Sequence, residues 1–425
     1  MLNRILAPES KQISEINFKK PLAQHLDNGI PVFTINAGRQ ELVRIEFIFK
    51  NVNWDEGKPL QALTASHLIN NGTTKLSAKE IAEKVDFYGA FLQTEYGADQ
   101  CSVKLYSLNK HLAEVLPILY SILNASVFPE KELSIFVQNQ KQSLSVSLQK
   151  NDFLARKQFA NALFGDTPYG SNISAVNYDA IKRQDLLDYF QAAYKPENCT
   201  IFVAGKFEEN EFSILNAIVG KDWANNGNSK DNHFSFSSPI GSEILIEMPE
   251  ALQSAIRMGM ITINRTHEDF AGFQVLNCVL GGYFGSRLMS NIREEKGYTY
   301  GIGSGVVSLQ DTGYFFIATE VGADVCQSAV TEIEKEIDLL KNDIIPEEEL
   351  DLVRSYMLGS LLGSLENAFS HADKFKNLYF SGLDYSYYDR YIHTVKTIDS
   401  QSLRILAHKY LISSDFTKVV AGKKY

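Results

Sequence analysis

Cysteine is scarce in this chain of 425 residues, and its cysteines are far apart. The chain has four cysteines, Cys101, Cys199, Cys278 and Cys326, and no two of them form a C-x-x-C motif. This spacing argues against a disulfide framework and against a cysteine zinc knot, since both need paired cysteines. We therefore expect reduced thiols packed in a core.

Long apolar runs are also missing. No stretch of the sequence is long and apolar enough to predict a membrane-spanning helix. The first ten residues, MLNRILAPES, place Arg4 inside their only apolar patch and follow it with Pro8, so they lack the apolar region of a signal peptide. These absences predict a cytoplasmic protein without a membrane span.

An excess of basic residues is absent as well. The chain has 41 Lys and Arg residues against 51 Asp and Glu residues, a net charge of -10, and no basic block. Binding to a phosphate backbone needs clustered positive charge, so nucleic acid is not the expected partner. The length exceeds that of one ordinary core and predicts two domains of roughly 200 residues each.

An internal repeat supports two similar domains. The segment Pro129–Leu133 (PEKEL) recurs as Pro346–Leu350 (PEEEL), and Val203–Lys206 (VAGK) recurs as Val420–Lys423. Both recurrences have the same offset of 217 residues (346 − 129 and 420 − 203). Chance matches would not share one offset, so a duplicated architecture is the better explanation.

Composition and local pattern predict the domain limits and the fold class. Residues 225–232 are small and polar, which predicts an N-terminal domain over 1–225, a linker over 226–242 and a C-terminal domain over 243–425. Asn28-Gly29 indicates a hairpin. Val43, Ile45, Phe47 and Phe49 alternate with Arg44 and Glu46, the period of a half-buried strand, and a helix is expected to begin near Pro129. The prediction is an α+β fold, with two tandem domains that are each a largely antiparallel sheet covered by helices.

Several motifs carry a resemblance to a known family. They are, in the first half, Asn71-Gly72-Thr73 followed by Ser77-Ala78-Lys79-Glu80-Ile81, and in the second half Leu280-Gly281-Gly282, Ser286-Arg287-Leu288 and the block REEKGYTY over residues 293–300. With the duplicated domain, this pattern resembles the pitrilysin/insulinase family of zinc metallopeptidases along nearly the whole chain. The resemblance implies a metallopeptidase-like fold of the LuxS and processing-peptidase type.

In that family, the helix before the Gly-Thr turn carries H-x-x-E-H. The two histidines share a helix face and bind zinc, and the glutamate takes a proton from the metal-bound water. Counted back from Gly72, the three positions are Leu63, Ser66 and His67 here. The resemblance places a further glutamate ligand at Ser145 or Val146. We therefore expect no metal and no cofactor in this chain, with His67 as a remnant or a packed side chain.

The second half contains a pair of residues that could take part in catalysis as hydrogen-bond donors. Arg293 and Tyr300 are seven residues apart (300 − 293), across a Lys-Gly turn. They match the R/Y pair that the family's second half contributes to the active site. A guanidinium and a phenol can both donate hydrogen bonds to a peptide carbonyl and to the oxyanion formed from it. An Arg paired with Glu294 or Glu295 and a Tyr in a strand would be the purely structural explanation.

Three hypotheses follow for function. In the first, the chain is the non-metal subunit of a heterodimeric zinc peptidase: a homologous H-x-x-E-H partner of similar length holds the zinc, and this chain, inactive alone, adds Arg293 and Tyr300. The substrate would be a peptide or unfolded polypeptide. In the second, the chain is an inert structural or peptide-binding relative of processing-peptidase and respiratory core subunits; the third is a stand-alone metalloenzyme with unconventional ligands. The compartment would be the periplasm if the partner is exported or the natural N-terminus is longer.

Overall fold

The computed structural model describes residues 13, 15–170, 172–221, 223–236 and 241–423. Residues 1–12, which carry the signal-peptide prediction, and residues 237–240 of the predicted linker lie outside the described residues. In the described part of the chain, no helix is long and apolar enough to cross a membrane.

The first half builds a six-stranded sheet. Its strands are β1 (Leu22–His25), β2 (Pro31–Asn36), β3 (Leu42–Lys50), β4 (Phe91–Tyr96), β5 (Gln100–Leu108) and β6 (Cys199–Gly205). They lie in the order β1-β2-β6-β3-β5-β4, and only β2 and β6 pair in parallel. The predicted hairpin turn is confirmed, because Gly29 has a φ of 85° between β1 and β2. The described helices of this half are α1 (Gln61–Leu68), α2 (Ala78–Phe87), α3 (Leu112–Ala125), α4 (Glu130–Ser147), α5 (Asn151–Phe164), α6 (Ala175–Ala180), α7 (Arg183–Ala193) and α8 (Glu209–Val219).

The second half builds a five-stranded sheet that is also mostly antiparallel. Its strands are β7 (Glu243–Glu247), β8 (Gln253–Thr262), β9 (Thr299–Ser308), β10 (Gly313–Gly322) and β11 (Thr417–Gly422), in the order β7-β11-β8-β10-β9. Again one pair, β7 with β11, is parallel. Its described helices are α9 (Phe270–Asn277), two π-helical turns (Cys278–Gly282 and Met289–Glu295), α10 (Cys326–Asn342), α11 (Glu347–Gly363), α12 (Ala368–Phe380), α13 (Ser386–Thr397) and α14 (Ser400–Tyr410). The α+β prediction is confirmed.

The repeat is visible in the helix positions. Helices α4, α5 and α7 begin 217 residues before α11, α12 and α14 (347 − 130, 368 − 151 and 400 − 183). Both α4 and α11 follow a proline and have acidic residues in their first turn, where carboxylates favour the positive end of the helix dipole. The limits at residues 225 and 243 stay a prediction.

The two halves exchange one helix each. Helix α5 of the first half packs on β8 and β11 of the second sheet, and α12 of the second half packs on β2 and β6 of the first. Ala155 and Phe159 of α5 share a buried cluster with Val419 and Ala421 of β11. Each sheet is therefore covered in part by a helix from the other half, and this packing interlocks the two halves.

Ion pairs reinforce both exchanged helices. Arg257 on β8 pairs with Asp152 on α5 at 2.7 Å, and Arg44 on β3 pairs with Asp373 on α12 at 2.8 Å. Burial would raise the pKa of Asp373, but the hydrogen bonds and charge of Arg44 hold that pKa below its usual range. Each exchange thus includes an Arg-carboxylate contact at the sheet surface.

The predicted half-buried face of β3 is wrong. Arg44 is 4% exposed and Glu46 is 1% exposed, although the alternation placed both on a solvent face. The reason is α12, which covers this face of the sheet and supplies Asp373 and Lys376 as charge partners. Buried charges are tolerated there because each has an opposite charge within reach.

Candidate functional site

Helix α1 is the helix on which the sequence resemblance places the metal-binding motif. It packs on α7 and β4 through Ala62, Ala65 and Leu68, which are buried. The chain leaves the helix at Gly72, whose φ of 142° favours glycine and whose added Cβ would lie 3.0 Å from Pro129 Cγ. This turn brings α4 against α1.

The three positions of the H-x-x-E-H pattern do not form a zinc site. His67 is exposed, its Nδ1 lies 2.9 Å from the carbonyl oxygen of Leu63, and its ring centroid is 5.7 Å from that of Phe136 on α4. Ser66 is buried, and its Oγ accepts a hydrogen bond of 3.2 Å from the Tyr194 hydroxyl. Burial raises the pKa of Tyr194, so this phenol stays protonated and remains a donor. The base position has become part of a neutral hydroxyl network.

Helix α4 supplies no replacement ligand. Ser145 is exposed, and Val146 is 52% exposed on the same helix. An isopropyl group cannot coordinate zinc, and a neutral hydroxyl is not among its usual ligands. Among the described residues, no group of three or more His, Cys, Asp and Glu side chains is placed to hold a metal ion. The residues at these positions do not fit zinc.

Arg293 and Tyr300 lie together at one corner of the second sheet. The π-helical turn that carries Arg293 ends at Glu295, and Gly297, whose φ is 67°, then reverses the chain into β9. Arg293 Nε donates a 3.0 Å hydrogen bond to the Tyr300 carbonyl oxygen. The guanidinium carbon lies 4.8 Å from the ring centroid of Phe284, a cation–π contact. Glu294 is more distant from the guanidinium, at 3.8 Å.

A β-bulge directs the Tyr300 side chain away from the protein. Thr299 pairs with Val321 and Ile302 with Thr319, so two residues of β9 oppose the single residue Glu320. Bulges re-aim side chains in this way. Tyr300 is 93% exposed, and its hydroxyl has no hydrogen-bond partner among the residues that the structure describes. The phenol is free to contact another molecule.

The sequence did not indicate Phe284. Its ring is 65% exposed, yet it supports the Arg293 guanidinium from the turn between the two π-helical segments. The only sequence feature that could have indicated Phe284 is the aromatic pair in Gly-Gly-Tyr-Phe-Gly, a segment whose glycines indicate a turn rather than a site. Arg293 and Tyr300 are brought together as the spacing suggested, whereas no hydrogen bond or ion pair among the described residues links them to α1 or α4.

The geometry predicts that this chain takes up no zinc at α1. After exposure to zinc and dialysis, the wild-type chain and His67→Ala should both contain far less than one zinc per chain, because one exposed imidazole does not hold a structural or catalytic zinc. The substitution should change the free energy of unfolding by less than about 0.5 kcal/mol, as expected for a surface residue. Stoichiometric zinc that is lost in His67→Ala would overturn this expectation.

Comparison with known proteins finds a family model that matches part of the chain, and several similar proteins. Residues 180–357 match the model of a family described as Peptidase M16 inactive domain. A Bacillus subtilis (strain 168) protein named Uncharacterized zinc protease YmxG is 28% identical over 313 residues, 71% of this chain and 73% of that protein. A Helicobacter pylori (strain ATCC 700392 / 26695) protein named Non-peptidase homolog YmxG is 21% identical over 378 residues, 84% of this chain and 83% of that protein.

The fold has a close counterpart among solved structures. The crystal structure of a peptidase M16 inactive domain from Pseudomonas fluorescens matches with a TM-score of 0.86 and covers 95% of this chain and 98% of that chain. The sequence identity of 22% means that this likeness shows the fold alone. The residues that match the family model include Arg293 and Tyr300 but neither α1 nor α4.

Proposed function

We propose, from the match of residues 180–357 to the Peptidase M16 inactive domain family and from the shared fold, that this chain is the non-metal subunit of a two-chain zinc peptidase. In this proposal a homologous partner of similar length carries H-x-x-E-H and the zinc. This chain contributes Arg293 and Tyr300 to the partner's active site. The two chains together hydrolyse peptides or unfolded polypeptides.

The observation that carries the proposal is the exposed pair itself. Tyr300 is 93% exposed on a bulge, where a purely structural tyrosine would pack its ring. Arg293 donates its Nε–H to the Tyr300 carbonyl oxygen, and its Nη1 lies 3.8 Å from Glu294, beyond hydrogen-bond distance. The terminal amino groups therefore remain as donors, and the guanidinium lies against the ring of Phe284. Both side chains are therefore prepared to bind a carbonyl oxygen or an oxyanion at this corner.

The sheet edge next to this pair suits an extended substrate. β9 is the outer strand of the second sheet, and Tyr300 lies at its beginning. A peptide that pairs with an open strand edge gains backbone hydrogen bonds without regard to its sequence. Such a peptide would pass Tyr300 and Arg293. In the partner, zinc would supply a water activated for attack on the peptide carbonyl.

An inert role is the second candidate. The Helicobacter pylori relative is named a non-peptidase homolog, and the same could hold for this chain as a structural or peptide-binding protein. In that case Arg293 and Tyr300 would contact a partner surface without taking part in chemistry. We propose the cytoplasm as the compartment, or the periplasm if the partner is exported, and domain limits at residues 225 and 243.

Reconstitution separates the two candidates. The chain and an H-x-x-E-H homologue from the same genome are purified separately, and hydrolysis of a quenched fluorescent peptide is measured for each alone and for the mixture. The proposal expects a complex whose activity exceeds the sum of the separate chains, and the loss of that activity with a zinc chelator. A partner that is equally active without this chain would support the inert role and overturn the proposal.

A further inference from the structure

A cavity of about 420 Å³ lies in the second half, and neither Arg293 nor Tyr300 lines it. Helices α9, α11, α12 and α13 form its walls together with the end of β9. Its size is that of a site for a small organic molecule. Nothing in the proposed peptidase role uses it.

The charges of the cavity have one sign. Arg265 and Lys374 line it, and its lining contains no Asp or Glu, so the formal charge of the wall is +2 in a chain of net charge -10. Arg265 Nε donates a 3.2 Å hydrogen bond to the neutral Ser308 hydroxyl, and neither cation forms an ion pair within the described residues. Two like charges thus face one space without a counter-ion.

The carboxylate that acts on Lys374 already has other cationic partners. Asp373 adjoins Lys374 in sequence, but it pairs with Arg44 at 2.8 Å and with Lys376 at 3.3 Å, on the side of α12 that faces the first sheet. Burial lowers the pKa of Lys374, the charge of Arg265 lowers it further, and the charge of Asp373 offsets only part of this, so the pKa stays below its usual value. This repulsion is unfavourable in the empty cavity, and an anion placed between the two cations would relieve it.

Burial favours the neutral form of several other groups in the wall. Burial raises the pKa of Cys278 to about 12, and burial also raises the pKa of Tyr387 and of Tyr391. These groups add no negative charge at neutral pH. They offer a thiol and two phenol rings that are stacked with centroids 6.2 Å apart, an apolar surface against which a ring could pack.

A buried acceptor in the same wall has no partner. Asn277 is 7% exposed, and its Oδ1 makes no hydrogen bond within the described structure. An unsatisfied buried amide costs about 1–3 kcal/mol, so such groups normally have a partner. A ligand with an N–H or O–H group, or an amide turned to present its Nδ2 to an anion, would satisfy it.

We propose that this cavity binds a small organic anion whose carboxylate or phosphate lies between Arg265 and Lys374, with an apolar or ring portion against Tyr387 and Tyr391. Asn277 is the additional polar contact. Carboxylate and phosphate share the chemistry that a guanidinium and an ammonium recognise. The proposal is independent of the peptidase role.

Binding of simple anions to the full chain tests the proposal. Phenyl phosphate and benzoate are titrated by calorimetry at constant ionic strength, with inorganic phosphate and acetate as matched anions without a ring. We expect saturable binding at one site for at least one ring-bearing anion, and weaker binding for its ring-free counterpart. Whichever of phenyl phosphate and benzoate binds more tightly identifies the acidic group that the site prefers.

Three variants locate the site. Arg265→Gln and Lys374→Met should each weaken binding by about tenfold or more, the loss of one charge-assisted hydrogen bond. Asn277→Asp, which puts a negative charge into the wall, should abolish it. Lys335→Met removes an exposed cation on α10 that pairs with Glu332, and it should bind like the wild type. Saturable binding of none of the four anions, or unchanged affinity in both folded cation variants, would overturn the proposal.

Discussion

Replacing Arg293 with alanine in the complex with a zinc-bearing partner is expected to lower kcat by about 10²–10³-fold, with little change in KM. A donor aimed at the developing oxyanion has an effect of about this size, because it acts mainly in the transition state. Arg293 is held for such a role by its bond to the Tyr300 carbonyl and by the ring of Phe284. Single-turnover hydrolysis of a peptide by the purified complex measures the effect.

Tyr300→Phe tests the other donor with a smaller change. The ring remains and only the hydroxyl is lost, so kcat should fall while the complex still forms. Tyr298→Phe is the matched control, since that ring packs partly buried against the second core, and Arg390→Ala removes an exposed arginine on α13. Equal losses of rate in the controls would show that the effect is not specific to this corner and would contradict the assignment.

Replacing Glu46 with glutamine is expected to destabilise the protein by about 3–5 kcal/mol, the usual cost of removing one partner from a buried ion pair. The Glu46 carboxylate is 1% exposed and accepts hydrogen bonds of 2.9 and 3.1 Å from Lys376 Nζ. Lys104 Nζ lies 3.7 Å away and Arg44 3.9 Å away. The substitution leaves these cations under α12 with too little negative charge.

Calorimetric unfolding and limited proteolysis measure this effect. We expect a lower melting temperature and faster cleavage around α12, because Lys376 joins that helix to the first sheet. Glu41→Gln is the matched control: its pair with Lys206 spans 3.0 Å but is largely exposed, so the loss should stay below about 1 kcal/mol. Equal stability of Glu46→Gln and Glu41→Gln would contradict the interlocking role of the network.

The sequence predicted the repeated architecture well and the assembly of the halves poorly. The offset of 217 residues is a property of the chain itself and recurs in the starts of α4 and α11. The exchange of α5 and α12 leaves no local pattern, because each helix packs on a sheet whose strands are distant in sequence. For the same reason Arg44 and Glu46 alternate like surface residues although a remote helix buries them.

The sequence likewise predicted part of the candidate site and missed the rest. A motif could place Arg293 and Tyr300 near one another, since a single turn at Gly297 joins them. It could not give the exposure of Tyr300, which depends on the bulge opposite Glu320, a strand pairing over some twenty residues (320 − 300). The contact with Phe284 depends on how the two π-helical turns pack, and periodicity does not encode it.

The most direct test of the central claim is peptide hydrolysis by a complex that contains the double variant Arg293→Ala/Tyr300→Phe and a wild-type H-x-x-E-H partner. Complex formation and zinc content are confirmed before the rate is measured. The account predicts an intact complex with one zinc, held by the partner, and a rate close to that of the partner alone. A complex that hydrolyses peptide at the wild-type rate would contradict it and would leave this chain with a structural role.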